Sequence, residues 1–329
     1  MKLNSFYKQM DEWTAQNIPY LFIIDFEKQK PILKQLSDLK SNESEIKYEF
    51  PHYSNCSNED KYIVAKSDLI LEKKPYSFDS YLAKFDQAQA LFVKKNVDVI
   101  NLTTPTPVHL HTSFENIFRA AHAKYKVMLK DKFVCCTPEI FVRIDEKGVI
   151  STYPMKGTID ANIPNAEELI LNSPKEIREH TATAHLLKRE LSEVANNVSI
   201  PRFRYIDRLH TNDKNLLQVS SEVSGMLKDE YRTAYGKLFD KLTPAGSIVG
   251  TPKKEALEII TEVEGYTRSY YTGVCGIFDG KTLDSCVLIR LIEKEDDQFF
   301  YKSGGGVTSD SIAKSEYEEI KDKIYVPLD

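Results

Sequence analysis

Between residues 272 and 307 three strand-like segments, "TGVCGIFD", "SCVLIRLIEK" and "QFFYKSGGGV", follow one another with no helical stretch between them. Strands joined this closely pair antiparallel, because a parallel pair needs a long crossover. They read as a meander between a helix in "TPKKEALEIITEVEGY" and a last helix at about 311–324. Further upstream, "EIFVRID-EKG-VISTYPM" alternates on both sides of a glycine-containing turn and reads as a hairpin. In that hairpin Glu139 begins one strand and Lys156 ends its partner, so the two side chains become neighbours across 17 sequence positions. The strict strand-helix alternation of a dinucleotide-binding sheet is missing, and the pattern is α+β with largely antiparallel sheets.

The helices carry their own signals. "SFDSYLAKFDQAQALFVKKN" spaces Tyr81, Phe85, Ala88 and Phe92 on one face. "HTSFENIFRAAHAKY" predicts a helix capped near Thr112. Ser173, Pro174 and Glu176 form an N-cap, a first-turn proline and a capping-box glutamate, followed by an apolar stripe of Ile177, Ala184, Leu187, Leu191 and Val194. Thr251 and Pro252 open the helix that turns Ala256, Ile259, Ile260 and Val263 inward. "YLFIIDFEKQKPIL" reads as a buried strand and turn, "VDVINLTTPTPV" as a strand ending in prolines, and residues 51–62 as a polar loop.

Composition narrows the function classes. A net charge of −5 leaves no general basic surface for nucleic acid. No apolar run approaches the roughly 20 residues that cross a bilayer, so no membrane contact is expected. The first residues, "MKLNSFYKQMDEW", are polar and lack a signal-peptide core. The five cysteines are odd in number and irregularly spaced, which suits thiols in a reducing cytoplasm better than a disulfide frame or a zinc site.

Several stretches can carry chemistry, each with a plainer alternative. Lys156 in "YPMKGTID" is either a solvated strand-end charge or a lysine aimed inward. "PAGSIVGTPK" leads small residues into a helix start, as an anion cradle or as an ordinary turn. Gly304–Gly306 allow a ligand close to the backbone, or form a loop. Glu316, Glu319 and Lys323 share one helix stripe, as a cluster for a hard divalent cation or as a solvated face. Arg290 is a charge inside an apolar strand, where it needs a partner or an anion. Tyr271 is an ordinary strand aromatic unless a cavity reaches it. His180, His185 and the His109–His111 pair lack metal-site spacing and read as structural.

Taken in order, "NLT" (101–103), "TPE" (137–139), "PMKGT" (154–158), "REH" (178–180), "PAGSIVGTPK", "E-x-x-x-R-x-x-Y-x-G-x-x-G" (264–276), "IR" (289–290) and "GGG-x-x-x-DS-x-x-x-SEY-x-E" (304–319) resemble the chorismate-utilising enzyme family. The resemblance runs from about 80 to 329 and more loosely over 1–79. It implies one catalytic domain over 1–329, built of large antiparallel sheets packed as a sandwich with helices outside. Lys156 resembles the aminodeoxychorismate synthase component I branch, where a lysine is the nucleophile. Anthranilate synthases resemble the chain too but carry a small residue there. Isochorismate and salicylate synthases place a lysine where this chain has Val99. A V-D-L-x-R-N-D pattern is replaced by "AHLLKRE" (184–190), and S-P-E-R-F by "TPEIF".

The resemblance implies Mg²⁺ held by Glu179 and Glu319 with Glu316 assisting. Gly157, Thr158, Gly304 and Gly306 would contact chorismate, and Arg290, Tyr271 and Lys323 would complete the substrate site. Glu139 would be the general acid and Lys156 the nucleophile, its amine neutral when it attacks. Ammonia from a separate glutamine amidotransferase subunit would give 4-amino-4-deoxychorismate for p-aminobenzoate and folate. An anthranilate or isochorismate synthase, or a non-catalytic relative, are the alternatives.

Overall fold

A computed structural model describes residues 2–40, 44–56, 71–210 and 215–327. Its strands are β1 (Tyr20–Ile24), β2 (Ile32–Gln35), β3 (Ile46–Glu49), β4 (Leu71–Lys73), β5 (Val99–Leu110), β6 (Tyr125–Leu129), β7 (Phe133–Thr137), β8 (Ile140–Ile144) and β9 (Val149–Thr152), then β10 (Met155–Asp160), β11 (Ala195–His210), β12 (Asn215–Leu227), β13 (Gly250–Thr251), β14 (Val274–Phe278), β15 (Leu283–Val287), β16 (Leu291–Glu295) and β17 (Gln298–Thr308). The helices are α1 (Leu3–Ala15), α2 (Phe78–Lys95), α3 (Phe114–Ala120), α4 (Ala166–Asn172), α5 (Pro174–Val194), α6 (Tyr235–Leu242), α7 (Lys253–Glu264) and α8 (Ala313–Asp322).

Two sheets form. One has nine strands in the order β10-β12-β9-β8-β15-β14-β1-β2, with β11 paired to β12. The other has eight, β13-β5-β17-β16-β7-β6-β3, with β4 paired to β5. Every named pairing is antiparallel. Leu21, Ile23, Cys135, Cys275 and Cys286 pack between the sheets. Alternate residues of β1, Tyr20 and Phe22, face the other way, onto Phe6 and Met10 of α1 and Leu238 and Phe239 of α6. On the outer face of the second sheet Val134 and Tyr301 meet Ile117 and Phe118 of α3. The fold is thus the expected sandwich with helices outside, and period-2 alternation explains why both faces of each sheet are buried.

The meander is corrected. "SCVLIRLIEK" is not one strand: it breaks at residues 288–290, so that β15 stays in the first sheet while β16 joins the second. Arg290 takes a left-handed φ of 53° at the break, a conformation that bulky residues rarely adopt. The hairpin of β8 and β9 forms, but Lys156 does not end it. The chain leaves β9 at Thr152, and Lys156 lies on β10, paired to β12, while Glu139 sits one residue ahead of β8. Ser113, not Thr112, caps α3. Thr251 is the end of β13 rather than a cap, and α7 begins after Pro252. On α5 His180 replaces Ile177 in the buried stripe, and Ile177 is exposed. Of the polar segment 51–62, residues 57–62 lie outside the described residues.

β5 runs through Pro105 and Pro107 instead of ending at them. Thr103 shows why. Its N–H points away from β17 and donates to Glu264 Oε1 at 2.8 Å. Pro105 and Pro107 share that parity, so their missing donors take nothing from the ladder with β17. Glu264 itself is held by Arg268 through two bonds, Nε to Oε2 at 2.8 Å and Nη2 to Oε1 at 2.6 Å. The pair is 1% and 2% exposed. Arg268 also donates to Ile248 O at 2.9 Å and Asn101 O at 2.6 Å. Breaking such a pair leaves a charge buried alone, so Arg268→Met is expected to lower the unfolding free energy in urea by about 3–5 kcal/mol. An unchanged unfolding midpoint would refute this.

Candidate active site

The strand β10 is bulged where it delivers its lysine. Its register against β12 slips between Met155 and Thr158. Gly157 takes φ +90°, and a Cβ there would sit 2.7 Å from Glu176 Oε2. Only glycine fits such a position. Gln218 of β12 clamps the bulge, donating from Nε2 to Gly157 O at 2.8 Å and accepting the Thr158 hydroxyl on Oε1 at 2.8 Å.

The bulge opens onto a cleft of about 390 Å³ at the seam of the two sheets. Glu139, Lys156, Gly157 and Thr158 line one side. Tyr271, Arg290, Gly304, Gly306, Glu319 and Lys323 line the rest. The three glycines of β17 divide their work. A Cβ on Gly304 would strike Thr103 Cγ2 at 2.4 Å, so this residue lets β17 approach β5. A Cβ on Gly306 would come 4.0 Å from Lys156 Nζ and 3.8 Å from Val99 Cγ2. One on Gly305 would come within 3.5 Å of Glu316 and 3.8 Å of Glu319.

Two of the cations that line the cleft, Lys323 and Arg290, are tied to one another. Lys323 Nζ donates to Gly304 O at 2.9 Å and to Glu319 Oε1 at 2.7 Å. Arg290 donates to Lys323 O, and its guanidinium lies 4.6 Å from the ring of Tyr325. Arg290, at the left-handed turn, is thereby held where it lines the cavity. Tyr271 is buried beside it; burial raises its hydroxyl pKa well above the ordinary range and Arg268 opposes the rise, so the hydroxyl is a neutral donor.

Glu139 accepts a hydrogen bond from the Ser247 hydroxyl at 3.0 Å. Burial pushes its carboxyl above the usual carboxylate range, and Ser247 with the charges of Lys156, Lys323 and Arg290 offsets part of the rise. Glu319 goes the other way. Burial acts to raise it, yet Lys323, Lys156 and Lys175 together hold it below its ordinary value. Glu316 is raised, by burial first and by Glu319 beside it, and accepts from Ser311.

The predicted metal carboxylates are not all on the cleft wall. Glu179 and Glu316 do not line it. Glu179 is exposed, 3.8 Å from Lys175. Among the described residues no three carboxylate, imidazole or thiol side chains stand close enough to hold an ion. The chemistry of the set still suits Mg²⁺. Glu316 and Glu319 repel one another under Gly305, and the charge of Lys175 acts on both as well as on Glu179. Hard oxygen donors with a shared need for positive charge are what this ion takes.

Ser247, Gln218 and His180 are the residues that sequence reasoning missed. Ser247 stands inside "PAGSIVGTPK", of which Gly246, Ser247, Ile248 and Gly250 line the cleft. Its β13 pairs with β5, and a Cβ on Gly250 would lie 2.0 Å from Val99 O. Lys253 turns away to Leu242 O and Glu190. Cys135, Cys136, Cys275 and Cys286 are buried thiols distributed through the core. Among the described residues no helix is long and apolar enough to cross a membrane.

Comparison with known proteins places this site in context. A family model for chorismate binding enzymes matches residues 8–329. A protein of Haemophilus influenzae described as an uncharacterized PabA-like protein is 40% identical over 327 residues, covering 99% of this chain and 98% of that one. Aminodeoxychorismate synthase component 1 of Salmonella typhimurium is 28% identical over 260 residues, 74% of this chain and 56% of that protein. The menaquinone-specific isochorismate synthase of Escherichia coli superposes with a TM-score of 0.71 at 16% identity, over 97% of this chain and 80% of that one.

The Ser247 hydroxyl favours the ionised form of Glu139, so its removal favours the protonated form. In Ser247→Ala, Glu139 is expected to titrate at higher pH than in the native protein, read from its side-chain carboxyl carbon by NMR. A titration that stays put or moves down would contradict the contact.

Proposed function

Because the chain belongs to the chorismate-binding enzyme family, we propose that it aminates chorismate to 4-amino-4-deoxychorismate through a covalent bond to Lys156. The observation that carries this reading is the lysine itself. It stands on a glycine bulge, lines the cleft with Glu139, and is the neighbour of Gly306. Val99, where related enzymes that add water place a base, also lines the cleft and cannot take a proton.

Chorismate carries two carboxylates and an allylic hydroxyl. Arg290 and Tyr271 suit one carboxylate, since a guanidinium binds it bidentately. The main chain of Gly157, Thr158, Gly304 and Gly306 frames the ring, and Lys323 adds a positive charge from the end of α8. Mg²⁺ would neutralise and anchor the other carboxylate; of its expected ligands Glu319 lines the cleft, and Glu179 and Glu316 would have to approach it to complete the set.

Glu139 gives its proton to the C4 hydroxyl, which leaves as water. The neutral amine of Lys156 forms a C–N bond to the ring as the C–O bond breaks, and then passes a proton back to the Glu139 carboxylate. Ammonia displaces the lysine nitrogen, which recovers its proton, and the product leaves with an amino group at C4. Two substitutions with an activated leaving group replace one with a poor one. Ammonium is the main form in neutral water, so a separate glutamine amidotransferase subunit delivering fresh ammonia fits the reaction.

Mixed with chorismate and Mg²⁺ but no ammonia, the protein is expected to gain an adduct mass on the peptide containing Lys156, and Lys156→Ala none. Added ammonia should then release 4-amino-4-deoxychorismate. Fluorescent anthranilate as the product, or isochorismate formed without ammonia, would reject the assignment. Replacing Glu319 by Gln should abolish both turnover and its response to magnesium; an unaltered magnesium titration would remove Glu319 from the metal site.

A further inference from the structure

The bonds around the β10 bulge give a role to a side chain outside the cleft. Three carbonyls fix the chain on either side of the lysine. Pro154 O accepts from Ser221 N at 3.0 Å, and Gly157 O accepts from Gln218 Nε2 at 2.8 Å. The third, Lys156 O, falls within the register slip and lies 3.3 Å from Nδ1 of His180. His180 is fully buried on α5, with its ring edge to face against Phe203.

The protons on this chain of bonds can be counted. His180 Nε2 is 2.7 Å from Ser221 Oγ, and Ser221 Oγ accepts from the Arg204 N–H at 2.9 Å. Ser221 has one proton to give, and Nε2 is the acceptor within reach. If Ser221 donates to Nε2, the imidazole carries its proton on Nδ1 and donates it to Lys156 O, and every polar atom of this buried chain is satisfied. The other tautomer sets the Nδ1 lone pair against a carbonyl oxygen and leaves the Ser221 hydroxyl proton without an acceptor.

We propose that His180 is a positioning residue for Lys156, replacing the ladder bond lost at the bulge and so fixing the direction in which the amine enters the cleft. The proposal rests on the reading of Lys156 as nucleophile. It explains why an imidazole occupies the stripe position where the period of α5 otherwise provides alanine, leucine and valine. An apolar residue there would pack equally well but would take this donor from the part-buried Lys156 carbonyl.

Two measurements test it. In protein labelled with ¹⁵N-histidine, His180 is expected to show a protonated Nδ1 and an unprotonated Nε2; the reverse tautomer would overturn the proposal. Adduct formation is then timed with chorismate, Mg²⁺ and no ammonia. His180→Ala should slow it by about 100-fold, the scale of a misplaced reacting group, with chorismate affinity unchanged. His180→Asn, whose amide N–H can take the place of Nδ1–H, should recover most of the rate. Equal rates in all three proteins would refute the positioning role and leave the nucleophile assignment intact. Absence of an adduct in the native protein would instead refute the nucleophile; the ¹⁵N spectrum and the ammonia-dependent turnover of the same variants still decide whether His180 positions Lys156.

Discussion

The buried bond between Arg268 and Glu264 is the point on which the cleft is hung. Neither residue touches the cavity, yet between them they hold three segments that do. Glu264 takes the free N–H and the hydroxyl of Thr103 on β5. Arg268 takes Ile248 O, one residue from Ser247, and Asn101 O, a cavity residue of β5. Its own carbonyl accepts from the fully buried Lys302 at 3.1 Å, two residues before Gly304. Lys302 is in turn neutralised by Glu293 at 2.8 Å and Glu295 at 2.7 Å. Burying so much charge is costly unless each group is paired and its remaining donors are used. Here they are used to fix main-chain positions, so the electrostatic cost of the core is converted into a rigid frame for a site on its edge.

That frame leaves part of the cleft to the sheet geometry and part to exceptions from it. β17 and β5 pair without interruption from Phe299 to Thr308, which makes the wall of Gly304 and Gly306 flat and close. Other lining residues come from interruptions: the bulge at Lys156, the residue ahead of β8 at Glu139, and the left-handed turn at Arg290. A regular strand alternates its side chains between faces and cannot send neighbouring functional groups into one cavity. Breaking the ladder frees them to converge, and the freed main-chain groups then need new partners. Gln218, His180 and Ser247 are those partners or their side-chain equivalents.

This division also sets what the sequence could disclose. Local periodicity carried the helices: Tyr81, Phe85, Ala88 and Phe92 are all buried on α2, and Ser173 caps α5. It failed at Ile177, which is exposed although its spacing puts it on the stripe of Ala184, Leu187, Leu191 and Val194. It failed again at "SCVLIRLIEK", since an apolar run with one charge in it says that both faces are buried but not that the run changes sheets at Arg290. The motif residues of the cleft were recognisable by type and order. Their supports were not, because the bond from Ser247 to Glu139 spans 108 positions and that from Gln218 to Gly157 spans 61. A serine in a glycine-rich turn and a glutamine in a strand look the same whether or not a carboxylate or a bulge awaits them.

The two carboxylates on the cleft wall show how position assigns chemistry to residues of one type. Glu139 and Glu319 both lie among lysines, and burial raises both. For Glu139 burial wins: its hydrogen bond comes from a neutral hydroxyl, and the nearby cations offset only part of the shift. For Glu319 the ammonium of Lys323 is in direct contact at 2.7 Å, and its charge with that of Lys156 and Lys175 outweighs burial. A carboxyl held above its usual range keeps its proton to higher pH, and one held below it stays an anion into more acidic solution. These surroundings suit Glu139, rather than Glu319, to the proton-donor role proposed for it, and suit Glu319 to balancing the cations. Exchanging their surroundings, rather than the residues themselves, would exchange the roles.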